Sequence, residues 1–337
     1  MTLALSIRPS VVRAEFFSFA TLQVPASFSY PSPNDGTFAY GVNNSGQIVG
    51  YYSTCCTVQS SGFLAGGGAY NNIRIPSEVH TYATGINATN QIVGYYYDAS
   101  GIGEGFLLSG SSLKTIAAPA ATQNTAAFGI NSSGEIVGWY GTATANHGFL
   151  YNAGTFTTID DPLATDTYAT GINSRGDIVG WYTDPSGGNH GFFYNGSTFL
   201  TLDDPNAAPG KTDAIGINDL GEVVGYYFDA ANVAHGFLWN GSSYLTLNDP
   251  SAAPTAGTLA FDINDAGQVV GYYLNSGGDF GFLATPIVGS AVPEPSSWAL
   301  MFIGFAGIGY LGLRRARKSR SSVCRTSRIS VTPRRDR

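Results

Sequence analysis

The sequence predicts an all-β protein: a six-bladed β-propeller of four-stranded antiparallel blades, closed by an N-terminal outer strand and followed by one short C-terminal transmembrane helix. Three observations predict it. A motif typified by GINSRGDIVGWYTD, Gly171 to Asp184, occurs six times. Its asparagines, Asn43, Asn87, Asn131, Asn173, Asn218 and Asn264, stand 44, 44, 42, 45 and 46 residues apart, and self-similarity at that period marks a solenoid, a propeller or an array. Only 12% of residues are charged, while Gly and aromatics abound, a composition of short strands and tight turns. The sixth copy ends one strand short in DFGFLATP, and the missing strand resembles FFSFATLQVP, Phe16 to Pro25, at the start of the chain.

Taken in order, residues 1–15 carry a short apolar run, Leu3 to Ile7, and a cleavage-like Val-Arg-Ala ending at Ala14. No basic n-region precedes the run, so the segment reads either as a weak secretory signal or as an untied terminus. Residues 16–287 are the propeller. In the fourth copy Thr167 to Asn173 forms one strand, Asn173 to Gly176 a turn, Asp177 to Asp184 the second strand, Gly191 to Gly196 the third and Ser197 to Pro205 the fourth. Gly, Asn and Asp at the junctions supply the positive φ and local side-chain bonds that tight hairpins need. The first strand carries Ala at one matching position in every copy, Ala39, Ala83, Ala127, Ala169, Ala214 and Ala260; a small side chain suits a strand crowded around a channel, which makes this the innermost strand. The second strand is apolar or aromatic on both faces, as in Ile178, Val179, Trp181 and Tyr182, and so expects a neighbour on each side. An N-terminal strand completing the last blade would hide a sheet edge.

The motifs GINSRGDIVGWYTD and NHGFFYNG resemble the HAF-type extracellular repeat, and the repeat logic is similar to that of six-bladed NHL-like propellers. The likeness spans residues 16–287 and implies an extracellular propeller. It implies no particular activity, because propellers host many.

Charge narrows the partners. The chain carries a net −7, yet from Arg314 to Arg337 nine Arg and one Lys face a single Asp. Between Glu15 and Asp279 only Arg74, Lys114, Arg175 and Lys211 stand against 21 acidic residues. An acidic globular part argues against nucleic acid and against adhesion to anionic lipid.

Candidate chemistry is sparse. His147, His190 and His235 each precede Gly-Phe in successive blades; equivalent third-strand positions lie too far from the axis to share one ion, so they are expected to bond neighbouring strands. Asn with trailing acids, as in Asn218 to Glu222, faintly resembles a calcium loop, but an Asn-initiated turn explains the pattern with less. The aromatic pairs Tyr51-Tyr52, Tyr95-Tyr96, Trp139-Tyr140, Trp181-Tyr182, Tyr226-Tyr227 and Tyr272-Tyr273 offer sugar-stacking platforms or, since consecutive strand residues face opposite ways, packing between blades, which is the expectation. Adjacent Cys55 and Cys56 leave a vicinal disulfide, two thiols and intermolecular links open; Cys324 lies in the basic tail. No catalytic residue, metal ligand or cofactor-binding residue is assigned, and no cofactor is expected.

Residues 288–292 form a linker. In the segment 293–318 an uncharged run of 16 residues, Trp298 to Leu313, is marginal for spanning a bilayer. Trp298 at one end and Arg314, Arg315, Arg317 and Lys318 at the other fit an interfacial anchor with the basic side in the cytoplasm. Residues 319–337 are a basic tail without structure-forming pattern. The order of Val292, Pro293, Glu294 and Pro295, apolar helix and basic end resembles the PEP-CTERM sorting domain of Gram-negative bacteria. The resemblance implies recognition of Pro293, Glu294 and Pro295 by an exosortase, a membrane cysteine protease. It also implies transient anchoring, then release of the propeller to the cell envelope or to the exopolysaccharide matrix of a biofilm. The expected function is therefore that of an exported binding or structural module meeting exopolysaccharide or surface proteins. The alternative is an extracellular hydrolase or lyase with its site at the channel mouth, for which Asp213 and Asp262, the odd residues in the inner strands, are the first candidates.

Overall fold

The computed structural model describes residues 16–25, 36–54, 57–76, 78–98 and 100–287. The signal-like segment, the Cys55-Cys56 pair, the linker, the sorting segment with its expected helix, and the basic tail with Cys324 lie outside the described residues. Within them the chain forms six four-stranded antiparallel sheets, each a consecutive meander except the last. The fourth blade consists of Asp166–Ile172, Ile178–Thr183, Asn189–Tyr194 and Phe199–Leu202. In the sixth, Thr258–Ile263, Val269–Asn275 and Gly278–Pro286 are joined by Phe17–Leu22, which pairs with the third strand from Phe17↔Pro286 to Leu22↔Gly281. The ring is thus six-bladed and closed by the N-terminal outer strand.

The donated strand reproduces the bonds that outer strands make elsewhere. In blades three to five a Thr on the outer strand, Thr158, Thr201 and Thr246, meets the hydroxyl of Tyr140, Tyr182 and Tyr227 at 3.1 to 3.3 Å; in blade six Thr21 meets Tyr273 at 3.1 Å. The second residue past the outer strand donates its N–H to the first Thr of the next inner strand, as Asp161 does to Thr167, and Val24 does the same to Thr37.

Packing between blades follows from the alternation of side chains along a strand. Ile178 faces one way, into a buried cluster with Val137 of the preceding blade, Ala169, Ile172, Tyr182 and Phe192. Val179 faces the other, into the next cluster with Ala214, Ile217, Val223 and Phe237. At the closure the same cluster is assembled from Val270, Ala39, Val42, Ile48, Tyr52 and Phe63, covered by Val24 and Leu22 of the N-terminal segment. Phe63, Phe106, Phe149, Phe192, Phe237 and Phe282 are each at most 1% exposed, and full burial of a phenylalanine contributes about 1.5–3 kcal/mol.

The inner strands depart from expectation in one respect. The repeated Ala is fully buried, but it packs away from the channel, against the Gly that opens the third strand of the preceding blade: a Cβ placed on Gly191 would sit 3.1 Å from that of Ala214. Small residues stand on both sides because two strands touch there. Immediately after the Ala every inner strand has a β-bulge, as between Ala169 and Gly171, and a bulge leaves its extra residue unpaired and re-aimed. The bulge also explains the invariant Gly of Ile-Val-Gly. A Cβ on Gly180 would lie 2.0 Å from the Tyr168 carbonyl and 2.9 Å from the Phe192 ring.

Candidate functional site

The six repeat asparagines sit at the end of the inner strands and form a closed ring. Each side-chain amide donates one hydrogen to the backbone carbonyl of the next ring asparagine, Asn43 to Asn87, Asn87 to Asn131, Asn131 to Asn173, Asn173 to Asn218, Asn218 to Asn264 and Asn264 back to Asn43, at 3.1 to 3.3 Å. The second hydrogen goes to the side chain four residues on, as from Asn173 to Asp177 at 2.9 Å. Oδ1 accepts two backbone N–H groups, those of Arg175 and Asp177 at 3.0 Å. All four bonding positions of the amide are filled, so an Asn-initiated turn is what the motif encodes. Around this mouth stand Asn44, Ser132, Ser174, Asp219 and Asp265, bordering a cavity of about 100 Å³. Its carboxylates are tied into the frame: Asp219 accepts from the Ser174 backbone N–H, and Asp265 from the Asp219 backbone N–H and the Asn44 side-chain amide.

One step inward the axis is lined by glycines, because the inner strands approach one another there. A Cβ on Gly171 would lie 2.7 Å from the Ile215 carbonyl and 3.2 Å from the Cα of Gly216. Blades one to five have Gly41, Gly85, Gly129, Gly171 and Gly216; blade six has Asp262, whose carboxylate therefore projects toward the axis. It accepts the Val42 N–H of blade one at 2.8 Å and its neighbour Ile263 N–H at 2.9 Å, a further tie across the closure. Burial among protein atoms outweighs these bonds and pushes its pKa up to about 7. The bulged residues Tyr40, Thr84, Phe128, Thr170, Ile215 and Phe261 then narrow the channel to a cavity of about 40 Å³, room for roughly two or three waters. The channel is plugged, and a larger ligand must bind at a mouth.

The raised pKa of Asp262 carries a pH prediction. The native state holds this proton more tightly than the unfolded chain, so the stabilisation is full below the ordinary aspartate range and is lost as pH rises through about 7. Asp213, pushed up to about 6, acts in the same direction. Each group can contribute at most about 1.4 kcal/mol per pH unit. The urea midpoint is expected to fall between pH 5 and pH 8, and Asp262→Gly, the residue of the other five blades, to flatten the fall. A midpoint that rises over this range, or an unchanged slope in the variant, contradicts the assignment.

The opposite mouth is aromatic. The first member of every aromatic pair, Tyr51, Tyr95, Trp139, Trp181, Tyr226 and Tyr272, is half-buried, whereas the second is buried between blades. Both members therefore pack between blades, as expected, and the first also lines the mouth. The residue preceding the repeated Ala pairs across to each of them, giving Phe38–Tyr51, Tyr82–Tyr95, Ala126–Trp139, Tyr168–Trp181, Asp213–Tyr226 and Leu259–Tyr272. Together these form a belt. Tyr168 stacks on Trp181 at 3.8 Å and meets Trp139 of the preceding blade at 5.5 Å; Phe38 stacks on Tyr51 at 4.6 Å and meets Tyr272 at 4.9 Å. Burial raises the pKa of Tyr40 well above normal, and the phenols of Tyr51, Tyr272, Tyr95 and Tyr226 lie near enough to raise it further. Their hydroxyls therefore lie near that of Tyr40, on the channel wall, and stay neutral.

The belt is broken where Ala126, Asp213 and Leu259 replace an aromatic. Phe261 fills the third break, contacting Tyr226 and Tyr272 at 5.9 and 5.5 Å. Asp213 is 7% exposed, and burial raises its pKa against the lowering influence of nearby Tyr226, Asn189 and Lys211. Its Oδ1 has no hydrogen-bond partner.

The structure separates the other sequence candidates. Asp213 belongs to the aromatic mouth and Asp262 lies two ladder steps, about 7 Å, further along the channel direction. Both Asp262 oxygens are taken by backbone N–H groups. His147, His190 and His235 stack on Tyr140, Tyr182 and Tyr227 at 5.3, 5.3 and 5.1 Å and bond Asp160, Asp203 and Asn248 of their own outer strands. Among the described residues no group of three or more His, Cys, Asp or Glu stands close enough to hold a metal ion, and no helix is long and apolar enough to cross a membrane. The belt positions on the inner strand were missed in the sequence; the signal was an aromatic recurring just before the repeated Ala.

Comparison with known proteins bears on destination. Residues 291–318 match the PEP-CTERM protein-sorting motif. The PEP-CTERM motif implies a protein exported in a Gram-negative bacterium, anchored transiently in the membrane and processed by an exosortase. No curated protein matches the chain. Among solved structures it is similar to a lectin of Aleuria aurantia in complex with Fucα1-6GlcNAc, at 12% identity over 78% of this chain and 98% of that chain, with a TM-score of 0.49. It is also similar to AofleA from Arthrobotrys oligospora, at 13% identity over 71% and 80% of the two chains and a TM-score of 0.49.

Proposed function

We propose that this protein is a component of the cell envelope or exopolysaccharide matrix whose propeller binds glycans at its aromatic mouth. The observation that carries the reading is the belt: half-buried aromatic faces around a channel whose wall carries neutral phenol hydroxyls. Aromatic faces stack on the apolar faces of sugars, and each such contact adds about 0.5–1.5 kcal/mol beyond area burial. Hydroxyls that stay protonated donate to and accept from sugar hydroxyls. In the same reading Pro293, Glu294 and Pro295 are what the exosortase recognises, Trp298, Arg314, Arg315, Arg317 and Lys318 flank the anchor, and the tail 319–337 stays on the cytoplasmic side. The HAF-type resemblance of the repeats supports an extracellular place. A hydrolytic reading is less supported, because paired-carboxylate glycoside chemistry needs two acids free to act and both Asp262 oxygens are held by the Val42 and Ile263 N–H groups.

Cell fractionation tests both halves of the reading. The native protein is expected in the matrix fraction. Replacing Pro293, Glu294 and Pro295 by Ala is expected to hold it in the membrane, and replacing Trp139 and Trp181 by Ala to leave it processed but released into the medium. Unchanged location of the first variant defeats the sorting assignment, and unchanged matrix retention of the second defeats the glycan mouth.

A further inference from the structure

We propose that the break in the belt at Asp213, between Trp181 and Tyr226, is a subsite for an amine-bearing hexose, a glucosamine-type unit of a partly de-N-acetylated polysaccharide. The proposal rests on the reading that the mouth takes glycans and goes on to say which kind.

The case begins with a departure from the repeat. At the same position blades one, two and four carry Phe38, Tyr82 and Tyr168, each wedged against the aromatic of its own second strand. Blade five carries a carboxylate there. One oxygen of Asp213 lacks a partner although the residue is more than nine-tenths buried. Leaving such a group unpaired destabilises the fold, a cost removed by a hydrogen-bond donor arriving from the mouth. Tyr226 and Asn189 stand near enough to favour the charged carboxylate, and Oδ1 is open.

The chemistry of the donor follows from the surroundings. A carboxylate only accepts, and an ammonium donor makes a charge-assisted bond roughly twice as strong as a neutral hydroxyl. The flanking aromatics, Trp181 and Tyr226, carry ring faces of negative potential, which attract a cation held over them. Lys211 is the cation that acts on Asp213, and four basic residues stand against 21 acidic ones between Glu15 and Asp279, so the long-range field also draws cations in. The pyranose ring supplies the apolar face for Trp181 and further hydroxyls for the neutral phenols. An N-acetyl group in place of the amine removes the charge and leaves an amide as a weaker donor.

The test titrates the full-length chain in neutral detergent with three probes: a glucosamine hexasaccharide, its fully N-acetylated counterpart and cellohexaose. The glucosamine hexamer is expected to bind at least tenfold more tightly than the other two. Asp213→Asn is expected to abolish that preference, and Trp181→Ala to weaken binding of all three. Asp213→Leu is the second variant, since blade six carries Leu259 at the equivalent position, and it guards against a folding defect in the first. Preference retained in both Asp213 variants overturns the amine subsite while the glycan mouth stands. Neutral probes that bind Trp181→Ala as tightly as wild type overturn the mouth itself. Hexalysine competing as well as the glucosamine hexamer shows charge alone at work and also overturns the proposal.

Discussion

Replacing Asn173 with Asp, a change of one atom, is expected to destabilise the propeller by about 3–5 kcal/mol, because two buried donors vanish and a charge appears without a partner. The lost amide hydrogens had served the Asn218 carbonyl and the Asp177 carboxylate. In their place an oxygen would face both acceptors, one of them charged. The two N–H bonds to Oδ1 survive, so the turn itself stays intact and the loss reports the cross-blade link. Asn195 provides the contrast. It also starts a turn, but it only accepts, from the backbone N–H groups of Ser197 and Thr198, on an exposed hairpin, and Asn195→Asp is expected to change stability by no more than about 0.5 kcal/mol. Urea unfolding of both variants measures this. A loss below about 1 kcal/mol at Asn173 would show that the ring is incidental.

Deleting residues 1–24 has the larger structural consequence. It strips the partner from Gly278–Pro286 and leaves that strand as an unpaired edge, the kind that templates association with other chains. It uncovers Phe282, against which Phe19 packs edge-on at 5.5 Å, and removes Val24 and Leu22 from the cluster that closes blade six onto blade one. The truncated chain is expected to lose most of a stability that for a domain amounts to only about 5–15 kcal/mol, and to elute as soluble oligomers. Size-exclusion chromatography with thermal unfolding checks it; a monomer melting at the full-length temperature contradicts the closure.

Much of this was legible from spacing alone. Asn recurring every 42 to 46 residues counts the blades, and the missing strand after Pro286 points to Phe16–Pro25, because a repeat shows its gaps. What the sequence hides is direction. Ala169 was readable as a small residue on the innermost strand, yet it faces the preceding blade, since the bulge at Thr170 shifts the pairing by one and hands the axis to Gly171. The first and second aromatics of each pair are alike in composition, and only the closed ring shows that Trp181, packed against the next blade, also reaches the mouth while Tyr182 is buried. Asn173 was readable as a turn former from its neighbours Arg175 to Asp177, but its bond to Asn218 lies 45 residues away and depends on closure. Asp213 and Asp262 stood out as odd residues; that one lies in an aromatic belt and the other on a glycine-lined axis follows from which layer of the inner strand each occupies.

The central claim is that a non-covalent junction closes the ring as firmly as the five that the chain itself connects. Hydrogen exchange of the native, full-length protein tests it most directly. The amides of Phe17–Leu22 that bond to Gly278–Pro286 are expected to exchange as slowly as those of the outer strand Thr155–Ile159 in blade three, through the same global opening. Exchange of Phe17–Leu22 within seconds, at the rate of a free terminus, while Thr155–Ile159 stays protected, would contradict it.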